Sequence, residues 1–139
     1  MRDDAYQVLE RVPTVEEYLA LRAAVGWGRR DPEMTARGLA NALYTVCLAY
    51  QGEIIACGRI TGDGGLYYEL HDIIVVPAHQ GRGVGTRLVL ALLAYLRANA
   101  GPDAFVSLMA AKGASAFYRR FGFAERPADQ PDMYLARGP

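Results

Sequence analysis

The chain is short of lysine, cysteine and net charge, and each shortage removes a class of function. Lys112 is the only lysine, so the basic side chains are almost all arginine. The 15 basic and 15 acidic residues cancel to a formal net charge of zero, which argues against a dedicated partner of nucleic acid or of an acidic membrane. No stretch approaches the roughly 20 apolar residues that a membrane span needs. The opening Met1-Arg2-Asp3-Asp4 is charged and lacks the apolar core of a secretory leader, so a cytoplasmic location is the expectation. Cys47 and Cys57 are the two cysteines, and neither has the partnering His or Cys of a metal site. No metal is expected, and a reducing compartment keeps both as thiols that pack like small apolar residues. A turn centred on Gly52 would set them opposite each other across a hairpin, and a one-residue slip would part them.

What is present fits a single domain over residues 1–139, long enough to bury roughly 70% of the surface of the unfolded chain. Residues 5–12 alternate as a first strand. Thr14 and Glu17 have capping-box spacing, which predicts a helix to about Val25 with Tyr18, Leu21 and Val25 on one face. Gly26-Trp27-Gly28 stops it, and a weaker helix is predicted over residues 33–42. Residues 44–50 and 54–61 read as a hairpin, and residues 66–76 as a long strand. From Thr86 the period becomes 3.6, with Leu88, Val89, Leu92, Leu93 and Leu96 as the apolar stripe, until Gly101-Pro102. Phe105–Ala110 is a buried strand, Ala114–Phe121 a short helix, and Asp132–Arg137 a final strand. Hairpins followed by a strand–helix–strand crossover imply an α/β (α+β) fold. Its sheet is mixed and mostly antiparallel, with helices on both faces.

The most informative stretch is Ile74-Val-Val-Pro-Ala-His-Gln-Gly-Arg-Gly-Val-Gly-Thr86, an apolar strand entering a glycine-rich turn that opens a helix. Backbone N–H groups at such a helix start have no partner and suit an anion such as a pyrophosphate. Gly81, Gly83 and Gly85 permit close approach and positive φ. A dinucleotide fingerprint fails, because Thr86 stands where its third glycine belongs and the chain offers only one such crossover, and a phosphate-binding Gly-Lys-Ser/Thr loop is absent. The run Gln80-Gly-Arg-Gly-Val-Gly85 resembles instead the acetyl-CoA loop of the GNAT acyltransferase superfamily, Gln/Arg-x-x-Gly-x-Gly/Ala. Asp72–Pro77 is similar to the strand that pairs with the pantetheine arm there. Ala114–Phe123 resembles the second block of the family, Ala-x-x-Phe-Tyr-x-x-x-Gly-Phe. One position departs: the family often carries Asn seven residues before the tyrosine, and here Ala111 stands there.

The resemblance implies a GNAT sheet of six to seven strands, acetyl-CoA as co-substrate, and transfer of its acetyl group to a small primary amine. It places the cofactor against Ile74, Val75 and Val76 of the strand and against Gln80, Gly81, Arg82, Gly83, Val84, Gly85, Thr86 and Arg87 of the loop. Arg82 and Arg87 either contact phosphates or stay solvated, and an N–H of Ile74 or Val75 would polarise the thioester carbonyl. An alkylamine with a pKa near about 10.4 is only about one part in a thousand neutral at pH 7, so deprotonation costs roughly 4–5 kcal/mol. Glu69, His71 and Asp72 are the candidate bases. Period 2 puts Glu69 and His71 on one face and Asp72 on the other, unless a bulge intervenes. Tyr118 matches the usual proton donor of the family to the departing thiolate. Trp27, Arg29, Tyr67 and Tyr68 are the candidate acceptor-binding residues, with Trp27 equally readable as a core anchor at a helix end. Family habit admits a homodimer through the final strand or the sheet edge. A non-catalytic acyl-CoA sensor is the alternative, favoured by Ala111 and disfavoured by Tyr118 and Glu69.

Overall fold

Thr14 and Glu17 close the capping box that their spacing predicts. The Thr14 hydroxyl accepts from the Glu17 N–H at 3.1 Å, and the Glu17 carboxylate accepts from the Thr14 N–H at 2.8 Å. The Arg11 guanidinium forks onto the same carboxylate at 2.9 and 3.1 Å and, with Thr14, holds it below the usual glutamate range. This cap opens α1 (Val15–Ala24), and Asp31 caps α2 (Pro32–Ala40) by accepting from the Met34 N–H at 2.8 Å. The computed structural model describes residues 5–139, so the charged opening at 1–4 lies outside the described residues. Before the helices comes β1 (Tyr6–Leu9), and after them β2 (Tyr44–Tyr50), β3 (Glu53–Gly62) and β4 (Tyr67–Val75). A 3-10 turn (Pro77–His79) leads to α3 (Val84–Asn99), β5 (Phe105–Leu108) and α4 (Ser115–Arg119). The chain divides into two compact units, one ending at Leu108 and the other Met109–Pro139.

In the first unit the strands lie in the order β1-β2-β3-β4-β5. The pairings β1–β2, β2–β3 and β3–β4 are antiparallel, and β4–β5 is parallel, joined by α3 as the crossover that parallel neighbours require. Alternation along β3 sends its side chains to two helical layers. Cys57 packs with Leu21 of α1, Cys47 and Ile74. Gly58 faces α3, where a Cβ would stand 3.1 Å from the Leu92 Cδ1, so its missing side chain lets the helix sit close. Leu88, Val89 and Leu92 of the predicted stripe are fully buried there.

Cys47 and Cys57 do face each other, by a route the hairpin signal alone did not reveal. The turn is Gln51-Gly52, both at positive φ, which by itself would pair Cys47 with Ala56. A bulge at Ile55, facing the step between Leu48 and Ala49, shifts the register by one and restores the cysteine pair. Both are free thiols that donate to backbone carbonyls, Cys47 to Arg11 at 3.4 Å and Cys57 to Asp72 at 3.3 Å. Burial pushes the Cys47 thiol up to about 11 and raises Cys57 as well.

The second unit holds α4 and an aromatic cluster in which Phe117 meets Tyr118 and Phe121 edge-on, and Tyr118 meets Phe123. The Arg120 guanidinium lies 5.6 Å from the Phe117 and Phe121 rings. Here one expectation fails. Asp132–Arg137 is not a strand, so among the described residues the sheet has five strands and not six to seven. The period-2 alternation of Met133 and Leu135 has no partner strand to pair with among the described residues, and an unpaired strand is not stable in water. The segment instead turns at Ala136-Arg137, with the Gly138 N–H donating to the Leu135 carbonyl at 3.2 Å.

The end of β3 supplies a stability test. Gly62 has φ +151°, and a Cβ there would come within 2.0 Å of the Tyr67 carbonyl oxygen, whereas Gly64 (φ +78°) faces open space. Gly62→Ala is expected to cost at least about 2 kcal/mol in urea denaturation and Gly64→Ala about 1 kcal/mol. Equal losses would contradict this account of the turn.

Candidate active site

The candidate site grows from an irregularity in β4. Arg59 of β3 faces His71, and Cys57 faces Ile74, so Gly58 opposes two residues, Asp72 and Ile73. This is a β-bulge, and Asp72 adopts φ +53°, a conformation that Asp tolerates better than most side chains. The bulge corrects the face assignment. Asp72 joins Glu69 and His71 on the α1 side, where its carboxylate accepts from the Tyr18 hydroxyl at 2.9 Å and from the Arg59 Nε at 2.7 Å. Arg22 of α1 brings Nη1 to 3.7 Å from the other carboxylate oxygen. All three charged side chains are nearly buried, at 10% exposure for Arg22, 11% for Asp72 and 18% for Arg59.

Sequence reasoning passed over Tyr18, Arg22 and Arg59 as site residues, although two signals were present. Arg22 stands four residues after Tyr18 on the buried stripe of α1, and Arg59 interrupts an otherwise apolar strand. Trp27 closes this region. Its ring packs against the cluster of Leu21, Cys47, Cys57 and Ile74 and lies 5.6 Å from the Arg22 guanidinium carbon. Arg29 is exposed. Of the two tyrosines, Tyr68 is 2% exposed and belongs to the core, whereas Tyr67 is 62% exposed and shares a face with Glu69 and His71 by alternation. The Glu69 carboxylate stands 3.7 Å from the His71 Nε2, and both are partly exposed. Beside them an open cleft of about 170 Å³ is lined by Thr61, Tyr67, Glu69, Phe105 and Ser107, and Tyr68 also borders it.

β4 pairs with β5 only ahead of the bulge. Their pairing runs from Tyr67–Phe105 to Leu70–Leu108 and stops there. Beyond the bulge the Val76 N–H donates to the Ile55 carbonyl of β3 at 3.0 Å. Alternation then turns the N–H of Ile74 toward β3 as well and the N–H of Val75 toward the open edge. The Val75 carbonyl on that edge accepts from the Gln80 side-chain amide at 2.9 Å. Gln80 thus clamps the glycine turn to the strand.

From Gly81 onward the chain makes an anion cradle. Gly81 (φ +77°) and Gly83 (φ +80°) both adopt the left-handed conformation, and a Cβ on either would meet nothing within 4 Å. Gly83 is the N-cap of α3, and the first amide that it satisfies is the Arg87 N–H at 3.1 Å. The N–H groups of residues 81–86 have no backbone acceptor among the described residues. Val84 is buried and pins the helix start, while Arg82 is exposed and Arg87 partly exposed. Six consecutive open amides at a helix N-terminus fit a pyrophosphate.

Tyr118 lies in α4 of the second unit, its ring against Phe117 and Phe123. Desolvation raises its hydroxyl above the ordinary tyrosine value, so it stays protonated at neutral pH. Ala111 is exposed. Among the described residues no group of three or more His, Cys, Asp and Glu side chains could hold a metal, and no helix is long and apolar enough to cross a membrane.

A mixed sheet with α1 and α3 on opposite faces is a fold shared with solved structures. The sequence model of the Acetyltransferase (GNAT) family matches residues 10–123, and the chain belongs to that family. A protein of unknown function from meticillin-resistant Staphylococcus aureus is 34% identical, with a TM-score of 0.89 covering 94% of this chain and 98% of that one. A GNAT-family protein from Streptococcus pneumoniae, 24% identical with a TM-score of 0.79 over 95% and 98% of the two chains, shares the fold. Serotonin N-acetyltransferase 2 of rice (Oryza sativa subsp. japonica) is 32% identical over 109 residues, 76% of this chain and 54% of its own length. Histone acetyltransferase TAP1 of soybean (Glycine max) is 28% identical over 132 residues, 86% of this chain and 56% of its own. The chain therefore spans little more than half the length of these two relatives.

The Asp72 cluster carries its own prediction. Removing the carboxylate charge leaves two nearly buried guanidinium groups without their counter-ion, so Asp72→Asn should cost about 3 kcal/mol in urea denaturation. Asn tolerates the same backbone conformation, which isolates the charge effect. A loss under about 1 kcal/mol would show that solvent screens the cluster.

Proposed function

We propose that the protein transfers an acetyl group from acetyl-CoA to a small primary amine. The observation that carries this reading is the run of open amides at residues 81–86 beside the strand edge where the Val75 N–H is unpaired. The cradle amides hold the pyrophosphate, with Arg82 and Arg87 within reach of phosphate oxygens, and the helix dipole adds about 0.3–1 kcal/mol per charge. The edge formed by residues 74–76 lies along the pantetheine arm. The Val75 N–H donates to the thioester carbonyl oxygen and stabilises the charge that develops there.

The amine nitrogen attacks the carbonyl carbon, the new C–N bond forms, the C–S bond breaks, and the amine loses a proton. Glu69 is our choice for the base, directly or through water, with His71 3.7 Å away as its relay. Asp72 is a positioning residue, because Tyr18 and Arg59 already occupy its carboxylate. Tyr118, kept protonated by its apolar surroundings, supplies the proton to the departing thiolate. Metal ions have no part in this reading. A cytoplasmic enzyme that works without nucleic acid or membrane fits the balanced charge of the chain.

The test is CoA-thiol release across amines, amino acids, aminoglycosides and peptides. Gly83→Val, which forces a β-branched residue to positive φ and fills the cradle, is expected to weaken acetyl-CoA binding at least tenfold in calorimetry. Tyr118→Phe is expected to lower kcat at least tenfold while acetyl-CoA affinity stays close to wild type. Acetyl-CoA binding with no thiol release from any acceptor would favour a cofactor sensor instead. Failure to bind acetyl-CoA at all would end the reading.

A further inference from the structure

Charge does not cancel at the bulge. Asp72 offers one negative charge, and Arg22 and Arg59 bring two positive ones into a region where all three side chains are nearly buried. The Asp72 Oδ2 is taken by Tyr18 and by the Arg59 Nε, while Oδ1 has only the Arg22 Nη1, at 3.7 Å. The Arg22 Nε donates to the Gly28 carbonyl at 2.9 Å, and the Arg59 Nη1 reaches the Gly38 carbonyl only at 3.5 Å. The Arg59 Nη2 has no hydrogen-bond acceptor among the described residues, whereas the Arg22 guanidinium also engages the Tyr18 hydroxyl. An uncompensated charge at such a site is costly unless an anion arrives to share it.

The guanidinium groups are also held in place. Arg22 lies between the Tyr18 and Trp27 rings, at 5.9 and 5.6 Å from their centroids, and is anchored at Gly28. Arg59 is fixed by Asp72 at 2.7 Å. Two guanidinium forks already set in place match a carboxylate better than mobile surface arginines would. Opposite charge lies close by on the same face. His71 is the cross-strand partner of Arg59, and Glu69 stands one step further along, opposite Thr61 and bound to neither arginine. The face is thus positive at the bulge and negative toward the open cleft.

We infer that Arg22 and Arg59 hold the carboxylate of the acceptor, whose amine is presented on the Glu69–His71 side, so that the acceptor is a small zwitterion of the amino-acid type. The inference rests on the acyl-transfer reading and narrows it. The bonds are those already given: the acceptor nitrogen gains the acetyl carbon, the thioester C–S bond breaks, and the carboxylate is unchanged.

The experiment compares CoA release from matched acceptors with and without the carboxylate: glycine and methylamine, L-alanine and ethylamine, L-tryptophan and tryptamine. Wild type is expected to favour the acid of at least one pair by tenfold or more in kcat/KM. Arg22→Gln, which can still donate to Gly28, is expected to collapse that ratio toward one, and Arg22→Lys to restore part of it. A second arm needs no turnover and no variant. N-acetylglycine titrated into the ¹⁵N-labelled protein is expected to shift the Nε–H resonances of Arg22 and Arg59, whereas N-acetylglycinamide is not. Thiol release from the plain amines at rates equal to or above those of their acids overturns the carboxylate assignment and leaves acyl transfer standing. Silence from every acceptor ends the acyl-transfer reading, and the titration then decides the arginine assignment alone. Arginine resonances that do not move, or that move equally with the amide, overturn it.

Discussion

The Asp72 carboxylate, held by Tyr18 from α1 and by Arg59 from the neighbouring strand, is the constraint on which the rest of the site depends. A β-bulge with a non-glycine residue at positive φ is a local cost of about 1–3 kcal/mol, and it persists only where the surroundings over-determine it. Here two helical side chains and one strand side chain converge on the residue that bears the strain. The consequences follow in order along β4. The extra residue puts Glu69, His71 and Asp72 on one face; the pairing with β5 ends at Leu70, and beyond it the Val75 N–H has no strand partner among the described residues. One ion-paired carboxylate therefore links the helix α1 to the place where a backbone donor is exposed.

The same strand feeds the anion cradle. A parallel neighbour for β4 needs a crossover, and α3 supplies it with its N-terminus directly after the strand end. The buried Val84 and Leu88 fix that helix against the sheet, so the open amides of residues 81–86 stand on a rigid element. The clamp from Gln80 to Val75 joins cradle and strand edge at 2.9 Å. Under the proposed function, pyrophosphate recognition and carbonyl polarisation would draw on one continuous stretch of backbone, in which side-chain identity matters chiefly through the glycines.

Much of this was legible in the residues. The capping box at Thr14 and Glu17, the 3.6 period after Thr86, and the glycine turn each have a local physical cause, and local causes survive into the fold. The Asp72 cluster was not legible, because period 2 assigns faces correctly only until a bulge interrupts it. No spacing rule signals that Gly58 will face two residues. Arg22 and Arg59 looked like ordinary basic residues for the same reason: what makes them notable is burial beside one carboxylate contributed by a third element. The Asp132–Arg137 strand failed in the opposite direction. Its alternation is real, but a strand is made by its partner, and partners are not written in the segment itself.

The most direct test of the central claim is an amide chemical-shift map of the ¹⁵N-labelled protein titrated with acetyl-CoA and, separately, with CoA. The amides of residues 81–86 are expected to move with both ligands. The amide of Val75 should respond to acetyl-CoA more than to CoA, because CoA lacks the thioester carbonyl assigned to it. Saturable binding that leaves residues 81–86 and Val75 unmoved would contradict the account, wherever else on the protein the shifts fell.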